Sequence, residues 1–560
     1  MPRCSYSTNS LWTIAALCIF QVPAFVSCQT TATSQPSAAG EYRIAGTVVS
    51  KSDGHPLERV AVAVIDVKNR KNVRIMITSE DGRFLFQGLT AGKYSLEGRR
   101  KGYIDAAYDS HEQYSTAIVT GADFDTEHLI LRLPPAGIIA GKVLDESGEP
   151  VRHAAVAVYY EDHSSGIAQV GQIRRAQTDD QGDYEVTPLV PGTYFVSASA
   201  TPWYAVHPNS QLEPDSQLEQ PGASPVSVDR SLDVTYPLTY YGDETEPENA
   251  SPIPIRGDDH VTADIHLSPA PALTLRFHVP ENAQNGFQLP QLQQTGFDGR
   301  TTYVQGTGFR TVSPGVMEIT GIPAGKYNVR LNGEGSGAQM SNLDLNKEGQ
   351  ELDLSTAEAL SSVKISVNLS GDMPHRGVVA LRSGRRQVVG WQQVDAKGEA
   401  ELQQVPAGVY DVLAWNFGKP YSIDRMTVDG AQVQDQKVKV AGGSSPSISL
   451  TLIEGSVQVQ GVVKRAGKGA AGAMVVLVPK DPELHRDCFR RDQSDLDGTF
   501  NLPGVVPGSY TVLAIDNGWE LDWSQPVVIA AYLKHGRSVE IANQSGRTVD
   551  LGEPIEVQSK

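Results

Sequence analysis

Cysteine is scarce in this sequence, and the positions of the few cysteines suit neither disulfide bonds nor metal sites. The 560 residues include four cysteines, of which Cys4, Cys18 and Cys28 lie in the first 28 positions and Cys488 lies far along the chain. Cys4 and Cys18 fall inside a segment that we expect to be removed, so at most two cysteines remain in the mature chain. Two cysteines so far apart form neither a disulfide framework nor a Cys-x-x-Cys metal site. We therefore expect no bound metal and no cofactor.

Positive charge and long apolar runs are also in short supply. Lysine and arginine number 47 against 65 aspartate and glutamate residues, which gives a net charge of −18 at pH 7. A phosphate backbone repels an acidic chain, so we exclude nucleic acid as a partner. After the first 28 residues, no stretch reaches the roughly 18 uninterrupted apolar residues of a membrane-spanning helix. We therefore expect no transmembrane segment in the mature chain.

The first 28 residues have the pattern of an export signal. Arg3 gives a positive start, residues 11–20 (LWTIAALCIF) are apolar, and VPAFVSC supplies small residues before a cleavage site. The pattern predicts a signal peptide over residues 1–28 and a flexible Ser/Thr/Ala tether over residues 29–40. FVSC is similar to a bacterial lipoprotein box, in which Cys28 would carry a lipid anchor; the alternative is an ordinary cleavage just after Cys28. Either way we expect export, to the periplasm, the outer membrane or the extracellular space.

Glycine and proline are abundant, methionine is rare, and one glycine-to-tyrosine spacing occurs five times. The 53 glycines and 34 prolines, against 7 methionines, favour turn-rich β-structure over helix. In near-copies of DGRFLFQGLTAGKY a glycine stands twelve residues before a tyrosine, at Gly82 and Tyr94, Gly182 and Tyr194, Gly315 and Tyr327, Gly398 and Tyr410, and Gly498 and Tyr510. This repetition indicates one structural unit copied along the chain rather than five active sites.

Each copy has the pattern of a strand, a tight turn and a second strand. In the first copy, Phe84 and Phe86 alternate before the turn and Tyr94 and Leu96 alternate after it, so we expect these side chains to face a core. We expect the tyrosine hydroxyl to reach a loop carbonyl. Upstream segments add a strand, a glycine-tipped turn and a Val/Ala-rich strand, and we interpret most downstream segments as closing hairpins. Each unit then has about seven short strands, as a β-sandwich does.

The repeat predicts five domains in tandem. Proline, small or polar residues interrupt the alternation at boundaries that give domains 41–134, 135–269, 270–356, 357–453 and 454–560. The second domain carries an insertion at about residues 205–250, which contains the aromatic cluster Tyr236, Tyr240 and Tyr241.

The order of these motifs resembles that of a known family. The pattern G-x-V, G-x-P, A-x-V, DG-x-F-x-F and L-x-P-G-x-Y resembles the carboxypeptidase regulatory-like domain, a transthyretin-like sandwich related to starch-binding and collagen-adhesin B-type modules. The resemblance is strong in the first, second and fifth units and weak in the third and fourth. It implies an all-β chain of five tandem Greek-key-type β-sandwich domains, prealbumin-like or carbohydrate-binding-like, in an array. It also implies a non-catalytic accessory role, and it names no ligand.

Candidate catalytic groups are better explained as turn residues. His55 and Glu58 form one His-x-x-Glu pair of the zinc carboxypeptidase type, and His163 follows farther along. The second unit lacks both residues in the same turn, so the pair lies at a variable position, and His163 belongs to another domain. Isopeptide bonds in collagen-adhesin relatives require a buried glutamate four residues after the strand tyrosine. Glu97 follows Tyr94 by only three residues, which places it on the opposite face of the strand. We assign no catalytic residue.

Exposed aromatic side chains are the remaining recognition feature, because sugar rings stack on flat tryptophan and tyrosine rings. The candidates follow the repeated tyrosine strands or lie in the insertion: Trp203, Tyr204, Tyr240, Tyr241, Trp415, Trp519 and Trp523. The alternative is that such residues plug sandwich ends or pack on the next domain.

Together these features favour a non-catalytic, exported cell-envelope protein that acts in binding, in adhesion or as a spacer. Its expected partners are polysaccharide, which would make it a carbohydrate-binding protein, or an envelope or surface protein. The alternative is an accessory or cryptic hydrolase component associated with a carboxypeptidase.

Overall fold

The computed structural model describes a chain built almost entirely of strands. The described residues are 41–121, 124–164, 166, 168–207, 229–278, 289–296, 301–304, 307–313, 315–333, 337–353, 357–369, 377–383, 388–417, 421–434, 437–455, 457–483, 485–542 and 548–560. The predicted signal peptide, the tether, Cys28 and much of the insertion lie outside them.

The strands follow one another in five groups. The first group is β1 (Tyr42–Ser50), β2 (Ala61–Asp66), β3 (Val73–Ile77), β4 (Arg83–Leu89), β5 (Gly92–Arg99), β6 (Ala106–Ala107), β7 (Ile118–Thr120) and β8 (Leu129–Leu133). The second is β9 (Gly137–Leu144), β10 (Ala155–Asp162), β11 (Gln169–Gln177), β12 (Asp183–Leu189), β13 (Gly192–Ser199), β14 (Val234–Thr235), β15 (Thr239–Tyr240), β16 (Ile253–Ile255), β17 (His260–Thr262), β18 (Ile265–His266) and β19 (Ala270–Pro271).

The third and fourth groups have nine strands each. The third is β20 (Leu273–His278), β21 (Gln291–Thr295), β22 (Thr301–Tyr303), β23 (Gly308–Ser313), β24 (Val316–Ile322), β25 (Gly325–Gly333), β26 (Gly337–Leu345), β27 (Gln350–Glu351) and β28 (Glu358–Ala359). The fourth is β29 (Ser361–Leu369), β30 (Val378–Ser383), β31 (Val388–Gln393), β32 (Glu399–Val405), β33 (Gly408–Trp415), β34 (Tyr421–Asp429), β35 (Gln432–Gln434), β36 (Lys437–Val440) and β37 (Ser447–Glu454).

The fifth group includes the one α-helix of the described residues. Its strands are β38 (Val457–Arg465), β39 (Lys468–Gly469), β40 (Met474–Pro479), β41 (Arg490–Gln493), β42 (Thr499–Val505), β43 (Gly508–Ile515), β44 (Arg537–Ile541), β45 (Thr548–Asp550) and β46 (Ile555–Glu556), with α1 (Pro526–Leu533) before β44. Short 3-10 helices lie at Arg230–Leu232, Pro247–Asn249, Arg486–Cys488 and Gly518–Glu520. Within the described part of the chain, no helix is both long and apolar enough to cross a membrane.

Each group has two main sheets around one core, and the second group has a further two-stranded sheet, β14-β19. In the first group, β4-β1-β8 faces β3-β2-β5-β6, and β7 also pairs with β5. The opening strand β1 pairs antiparallel with β4 and parallel with the closing strand β8. The same parallel pairing of opening and closing strands recurs as β9 with β17, β20 with β27, β29 with β37 and β38 with β45. These tandem β-sandwiches confirm the predicted fold class, while the predicted domain boundaries stay predictions.

The repeated glycine stands just before the strand from which the chain crosses to the opposite sheet. In the first sandwich, β4 lies in the sheet of β1, whereas β5 lies in the sheet of β2. Gly82, just before β4, has a φ of 71°, and its equivalents Gly182, Gly315, Gly398 and Gly498 have φ angles of 74, 80, 82 and 79°. Residues with a side chain rarely adopt this left-handed conformation, which explains why glycine occupies the position in all five units.

The closing segments are not hairpins, which corrects the interpretation from the sequence. Strand β7 pairs with β5, whereas β8 pairs with β1 in the opposite sheet. The same holds for β16 and β17 in the second sandwich and for β44 and β45 in the fifth. Two-residue alternation identifies the face of a strand that meets the core, but both sheets meet the same core, so it does not identify the partner strand.

The repeated tyrosine is a core residue in all five units, as predicted. Its hydroxyl donates to the backbone carbonyl four residues earlier: Tyr94 to Thr90 at 3.0 Å, Tyr194 to Val190 at 2.6 Å, Tyr327 to Pro323 at 2.6 Å, Tyr410 to Pro406 at 2.8 Å and Tyr510 to Val506 at 2.9 Å. Burial raises the pKa of Tyr410 to about 12. The hydroxyl therefore stays a donor at neutral pH and fastens the turn to the strand that follows it.

The fifth sandwich buries both faces of one sheet. Val475 and Leu477 of β40 face its own core, whereas Met474 and Val476 belong to a second apolar cluster on the outer face. Ile529 of α1 belongs to that second cluster. Because the outer face is apolar, it must be covered, and the chain covers it partly with its own segment after β43.

The fifth sandwich also packs against the first and second sandwiches. Gln493 Nε2 donates to Thr116 Oγ1 at 2.8 Å, and the backbone N–H of Leu496 donates to the Ala117 carbonyl at 3.1 Å. We call this contact the junction; among the described residues it is formed by 109–117, 163, 164, 166, 168, 490–497 and 519–524. No pattern in the sequence predicts it, because its two sides lie more than 300 residues apart.

Candidate functional site

The most exposed predicted aromatic residue is Trp203, which follows strand β13 of the second sandwich. Its side chain is 88% exposed to solvent. Its indole meets the ring of Tyr204 edge to face, with centroids 5.8 Å apart and planes at 86°. This arrangement is a favoured one for two aromatic rings, and it leaves the Trp203 ring accessible beside a second, fixed ring.

A carboxylate holds the second ring in place. The Tyr204 hydroxyl donates to Glu146 Oε1, and the Tyr236 hydroxyl donates to Glu146 Oε2 at 2.9 Å. Glu146 lies in the turn between β9 and β10, where the neighbouring Asp145 accepts backbone N–H groups of Ser147 and Glu149 through Oδ1. The turn is therefore held by its own hydrogen bonds, and it presents Glu146 to the two tyrosines.

The hydrogen bonds set the charge of this group, which we call the Trp203 cluster (Trp203, Tyr204, Tyr236 and Glu146). Burial raises the pKa of Glu146, but the hydrogen bonds from Tyr204 and Tyr236 outweigh burial and hold that pKa below its usual value. Burial and the bond to Glu146 raise the pKa of Tyr204 to about 12. At neutral pH the cluster is thus an ionised carboxylate with two protonated phenols.

This chemistry suits binding better than hydrolysis. A sugar ring can stack on Trp203 while its hydroxyls bond to the Glu146 carboxylate and the Tyr204 oxygen. Glycoside hydrolysis uses two carboxyl groups with different protonation, one on each side of the bond that breaks. The nearest second carboxylate of the turn, Asp145, is committed to backbone N–H groups, and Glu146 is held ionised rather than poised as an acid.

The predicted tyrosines of the insertion lie inside the second sandwich. Tyr240 is fully buried in β15, and Tyr241 is half-buried against the core. Strand β15 of the insertion pairs with β13, which places Tyr240 and Tyr241 against the sandwich. The structure therefore does not join Tyr240 and Tyr241 to the Trp203 cluster, whereas it does add Tyr236 and Glu146, and the sequence carried no signal for Glu146.

Trp519 and Trp523 lie in the junction, which corrects the expectation that they are exposed. Their side chains are 7 and 9% exposed. The ring of His111 stacks on Trp519, with centroids 4.9 Å apart, and Phe489 packs edge-on against Trp523. These two residues follow the alternative described above, in which aromatic residues pack on another domain.

Trp415 is 43% exposed on the fourth sandwich, where the sequence reasoning missed a second tryptophan. Trp391, in β31, is 66% exposed. The alternation in VVGWQQ could have identified it as a residue that faces away from the core.

The histidines considered for zinc are far apart in the fold. His55 Nδ1 lies 2.6 Å from Asp53 in an exposed turn, and His163 Nδ1 lies 3.2 Å from Asp522 in the junction. Glu97 is exposed and accepts a hydrogen bond from Ser95, on the opposite strand face from Tyr94. Among the residues that the structure describes, no group of three or more His, Cys, Asp or Glu side chains is arranged to hold a metal ion.

Comparison with known families agrees with the resemblance found in the sequence. Residues 43–123 and 138–220 match the model of the carboxypeptidase regulatory-like domain family. These two stretches, which fall in the first and second sandwiches, are therefore similar to that domain. No curated protein matches the chain at a significant level.

Solved structures that are similar to parts of this chain include one further bacterial protein and two pilins. They are the Bacillus anthracis TIE protein (11% identity, 73% of this chain and 72% of that chain, TM-score 0.19), a streptococcal ancillary pilin (11%, 56% and 98%, TM-score 0.20) and BcpA, the major pilin subunit of Bacillus cereus (9%, 73% and 99%, TM-score 0.14). At these TM-scores the similarities carry no argument about overall shape or function.

Proposed function

We propose that this chain is an exported, non-catalytic binding protein of the cell envelope, and that carbohydrate is its ligand. The observation that carries the proposal is the Trp203 cluster, in which an indole with an open face stands beside an ionised carboxylate and a fixed phenol. The remaining sandwiches act as a scaffold that holds binding faces away from the envelope. The spacer and adhesion roles expected from the sequence are thus parts of the same activity.

The arrangement of the cluster supports a sugar rather than a protein partner. A single indole offers an apolar area of about 200 Å², far below the roughly 800 Å² that each side of a stable protein interface contributes. Sugars bind through a small stacked face and several hydroxyls, which is what one ring, one carboxylate and one phenol supply. The resemblance of residues 43–123 and 138–220 to the carboxypeptidase regulatory-like domain supports the non-catalytic part of the proposal, because it implies an accessory role.

A glycan-binding experiment tests this proposal. The full mature chain is applied to a glycan array, and the best neutral oligosaccharide is then titrated by calorimetry against wild type, Trp203→Ala and Glu146→Gln. We expect both substitutions to weaken binding at least about tenfold, which corresponds to about 1.4 kcal/mol.

Phe124→Ala is the matched control, because Phe124 is an exposed aromatic residue of another sandwich. It should leave the affinity unchanged. Absence of binding to every glycan, or equal affinity of wild type and Trp203→Ala, would overturn the proposed ligand. Hydrolysis of a bound glycan would overturn the non-catalytic part.

Export and anchoring rest on residues 1–28 and need their own test. Expression in a bacterial host with labelled palmitate distinguishes the two interpretations of Cys28. A lipoprotein incorporates label that Cys28→Ser loses, whereas a freely secreted protein carries none in either form. A full chain that stays in the cytoplasm with residues 1–28 still attached would contradict export.

A further inference from the structure

The fourth sandwich presents two indoles on one outer sheet face. In the sheet β31-β30-β33-β36-β35, Val379 of the central strand β30 faces the core, so its neighbours Val378 and Ala380 face outward. Ala380 stands opposite Trp391 of β31, and Val378 stands opposite Trp415 of β33. Both tryptophans therefore project from the same face, one on each side of β30.

The two indoles flank a flat apolar strip. Strands lie about 4.8 Å apart and rise about 3.4 Å per residue, so two strand spacings and a two-residue offset separate the Cα atoms of Trp391 and Trp415 by roughly 12 Å. Between them lie Ala380, which is buried, and Leu413, which stands opposite Ala380. The result is a shallow surface with an aromatic ring at each end.

Positive charge borders the same face. Val438 and Val440 of β36 face the core, so Lys437 and Lys439 face outward with the tryptophans. Arg382, at the end of β30, also faces outward and stands opposite Asp411.

One carboxylate on this face partly balances three cations. Asp411 accepts hydrogen bonds from Arg382 Nε and Nη2 at 3.3 and 3.2 Å, and Lys437 Nζ lies 3.6 Å from its Oδ1. Asp411 is the one acid on β30, β31, β33 and β36. A local excess of positive charge is unusual on a chain whose net charge is −18.

The size of the face decides what kind of ligand it fits. An indole buries at most about 250 Å², so the exposed parts of Trp391 and Trp415 offer together roughly 270 Å². A stable protein interface needs about 800 Å² from each partner. The two indoles alone are too small to carry a protein interface, but the roughly 12 Å between them suits consecutive sugar rings.

We infer that the outer face formed by Trp391, Trp415, Arg382, Lys437 and Lys439 binds an anionic polysaccharide. Sugar rings stack on the two indoles, and carboxylates of the polysaccharide pair with the cations beside them. The inference rests on the proposed carbohydrate binding, but it concerns another sandwich and another charge class of glycan than the Trp203 cluster.

Affinity electrophoresis and calorimetry with polygalacturonate as the acidic probe and hydroxyethyl cellulose as the neutral probe test the inference. The full mature chain is compared with Trp391→Ala, Trp415→Ala and the double variant Lys437→Ala/Lys439→Ala. Each tryptophan variant should bind polygalacturonate at least about tenfold more weakly at constant salt. The lysine variant should also bind more weakly, and its affinity should depend less on salt concentration.

Phe124→Ala is the matched control, because Phe124 is an exposed aromatic residue of the first sandwich, and it should bind polygalacturonate as wild type does. Trp391 and Trp415 are exposed, so circular dichroism should show an unchanged fold in each tryptophan variant. Unchanged affinity for polygalacturonate in Trp391→Ala and Trp415→Ala overturns the inference. The proposed function can still hold in that case, because it is supported if Trp203→Ala lowers binding of another glycan. Binding that depends on the lysines alone also overturns it, as does a dimer that Trp391→Ala dissociates. If wild type binds no glycan, the proposed function and this inference fall together.

Discussion

Arg491 of the fifth sandwich forms a two-point ion pair with Glu112 of the first sandwich, 379 residues earlier in the chain. The Arg491 side chain is 2% exposed, and its guanidinium carbon lies 4.5 Å from the ring centroid of Trp523 and 5.3 Å from that of Trp519. A cation so removed from water depends on its one carboxylate and on the aromatic faces around it. This ion pair therefore holds the first and fifth sandwiches in contact.

We predict that Arg491→Ala opens the junction. The substitution leaves the Glu112 carboxylate unpaired in a partly buried place, which costs about 3 kcal/mol. Emission of Trp519 and Trp523 should shift to longer wavelength, and the radius of gyration from small-angle X-ray scattering should rise. Arg486→Ala is the control, because its ion pair with Glu483 is exposed and should contribute less than about 1 kcal/mol. Unchanged emission and unchanged size in Arg491→Ala would contradict the role of this pair.

The junction explains why the sequence predicted the positions of Trp519 and Trp523 correctly but their exposure incorrectly. Local alternation ends with strand β43, so a few neighbouring residues suffice to predict that both tryptophans follow that strand. Whether their rings meet water depends on His111, Glu112 and other residues of a distant sandwich. No local pattern encodes such a contact, so the burial of these two tryptophans became visible only in the folded chain.

The repeated glycine should tolerate alanine less well than a glycine with the same backbone conformation elsewhere. Gly82 and Gly54 have φ angles of 71 and 75°. A Cβ at Gly82 would lie 2.7 Å from the Val48 carbonyl oxygen, whereas a Cβ at Gly54 meets nothing within 4 Å. Both substitutions to alanine should cost about 1 kcal/mol for the left-handed backbone, and Gly82→Ala should cost about 1 kcal/mol or more beyond that, because the backbone must shift.

Hydrogen exchange of peptides from the first sandwich measures this difference in the full chain. Faster exchange in Gly82→Ala than in Gly54→Ala is the expected result. Equal exchange in the two variants would mean that backbone conformation alone, and not the close approach to Val48, selects glycine at the repeated position.

The fold was predictable from the sequence where its determinants are local. The face that we propose to bind polysaccharide, formed around Trp391 and Trp415, was not predictable. The Gly82 turn and the buried Tyr94 depend on backbone conformation and alternation within one short segment, and both predictions were confirmed. The pairing of Trp391 with Ala380, and of Trp415 with Val378, depends on which strands are neighbours in the sheet. Alternation along one strand can mark a residue as outward-facing, but only the sheet order brings the two indoles onto one surface.

Loss of the tyrosine hydroxyl should weaken a sandwich without unfolding it. In Tyr327→Phe the ring still fills the core, but the Pro323 carbonyl loses the donor that lies 2.6 Å away. A buried acceptor without a partner costs about 1–2 kcal/mol. Chemical denaturation with hydrogen-exchange readout in the third sandwich measures this loss. Tyr42→Phe, at a half-buried tyrosine of the first sandwich outside the repeated motif, is a control substitution of the same type. A similar loss of stability there, measured in the first sandwich, would contradict a special role for the Tyr327 bond.

Stability of the fifth sandwich should increase as the pH falls from 7 towards 5. Burial raises the pKa of Asp492 in β41 to about 6, from a usual value of 3.8. Between these two values the folded chain binds a proton that the unfolded chain does not, so folding is favoured at the lower pH, and this stability is lost as the pH rises through 6. The full effect, reached only below pH 3.8, is about 3 kcal/mol, of which about 1.3 kcal/mol falls between pH 7 and 5. Urea midpoints at pH 5, 6, 7 and 8, followed by emission of Trp519 and Trp523, measure it.

Asp492→Asn should make the fifth sandwich more stable at pH 7 and flatten this pH dependence. The amide carries no charge, and its oxygen can still accept the Asn501 backbone N–H that Asp492 Oδ2 accepts at 2.6 Å. Some dependence should remain, because burial also raises the pKa of Asp495. Asp395→Asn is the control, because backbone hydrogen bonds lower the pKa of Asp395 and its titration falls below this pH range. If wild type and Asp492→Asn keep the same slope between pH 5 and 7, the proton is not bound at Asp492.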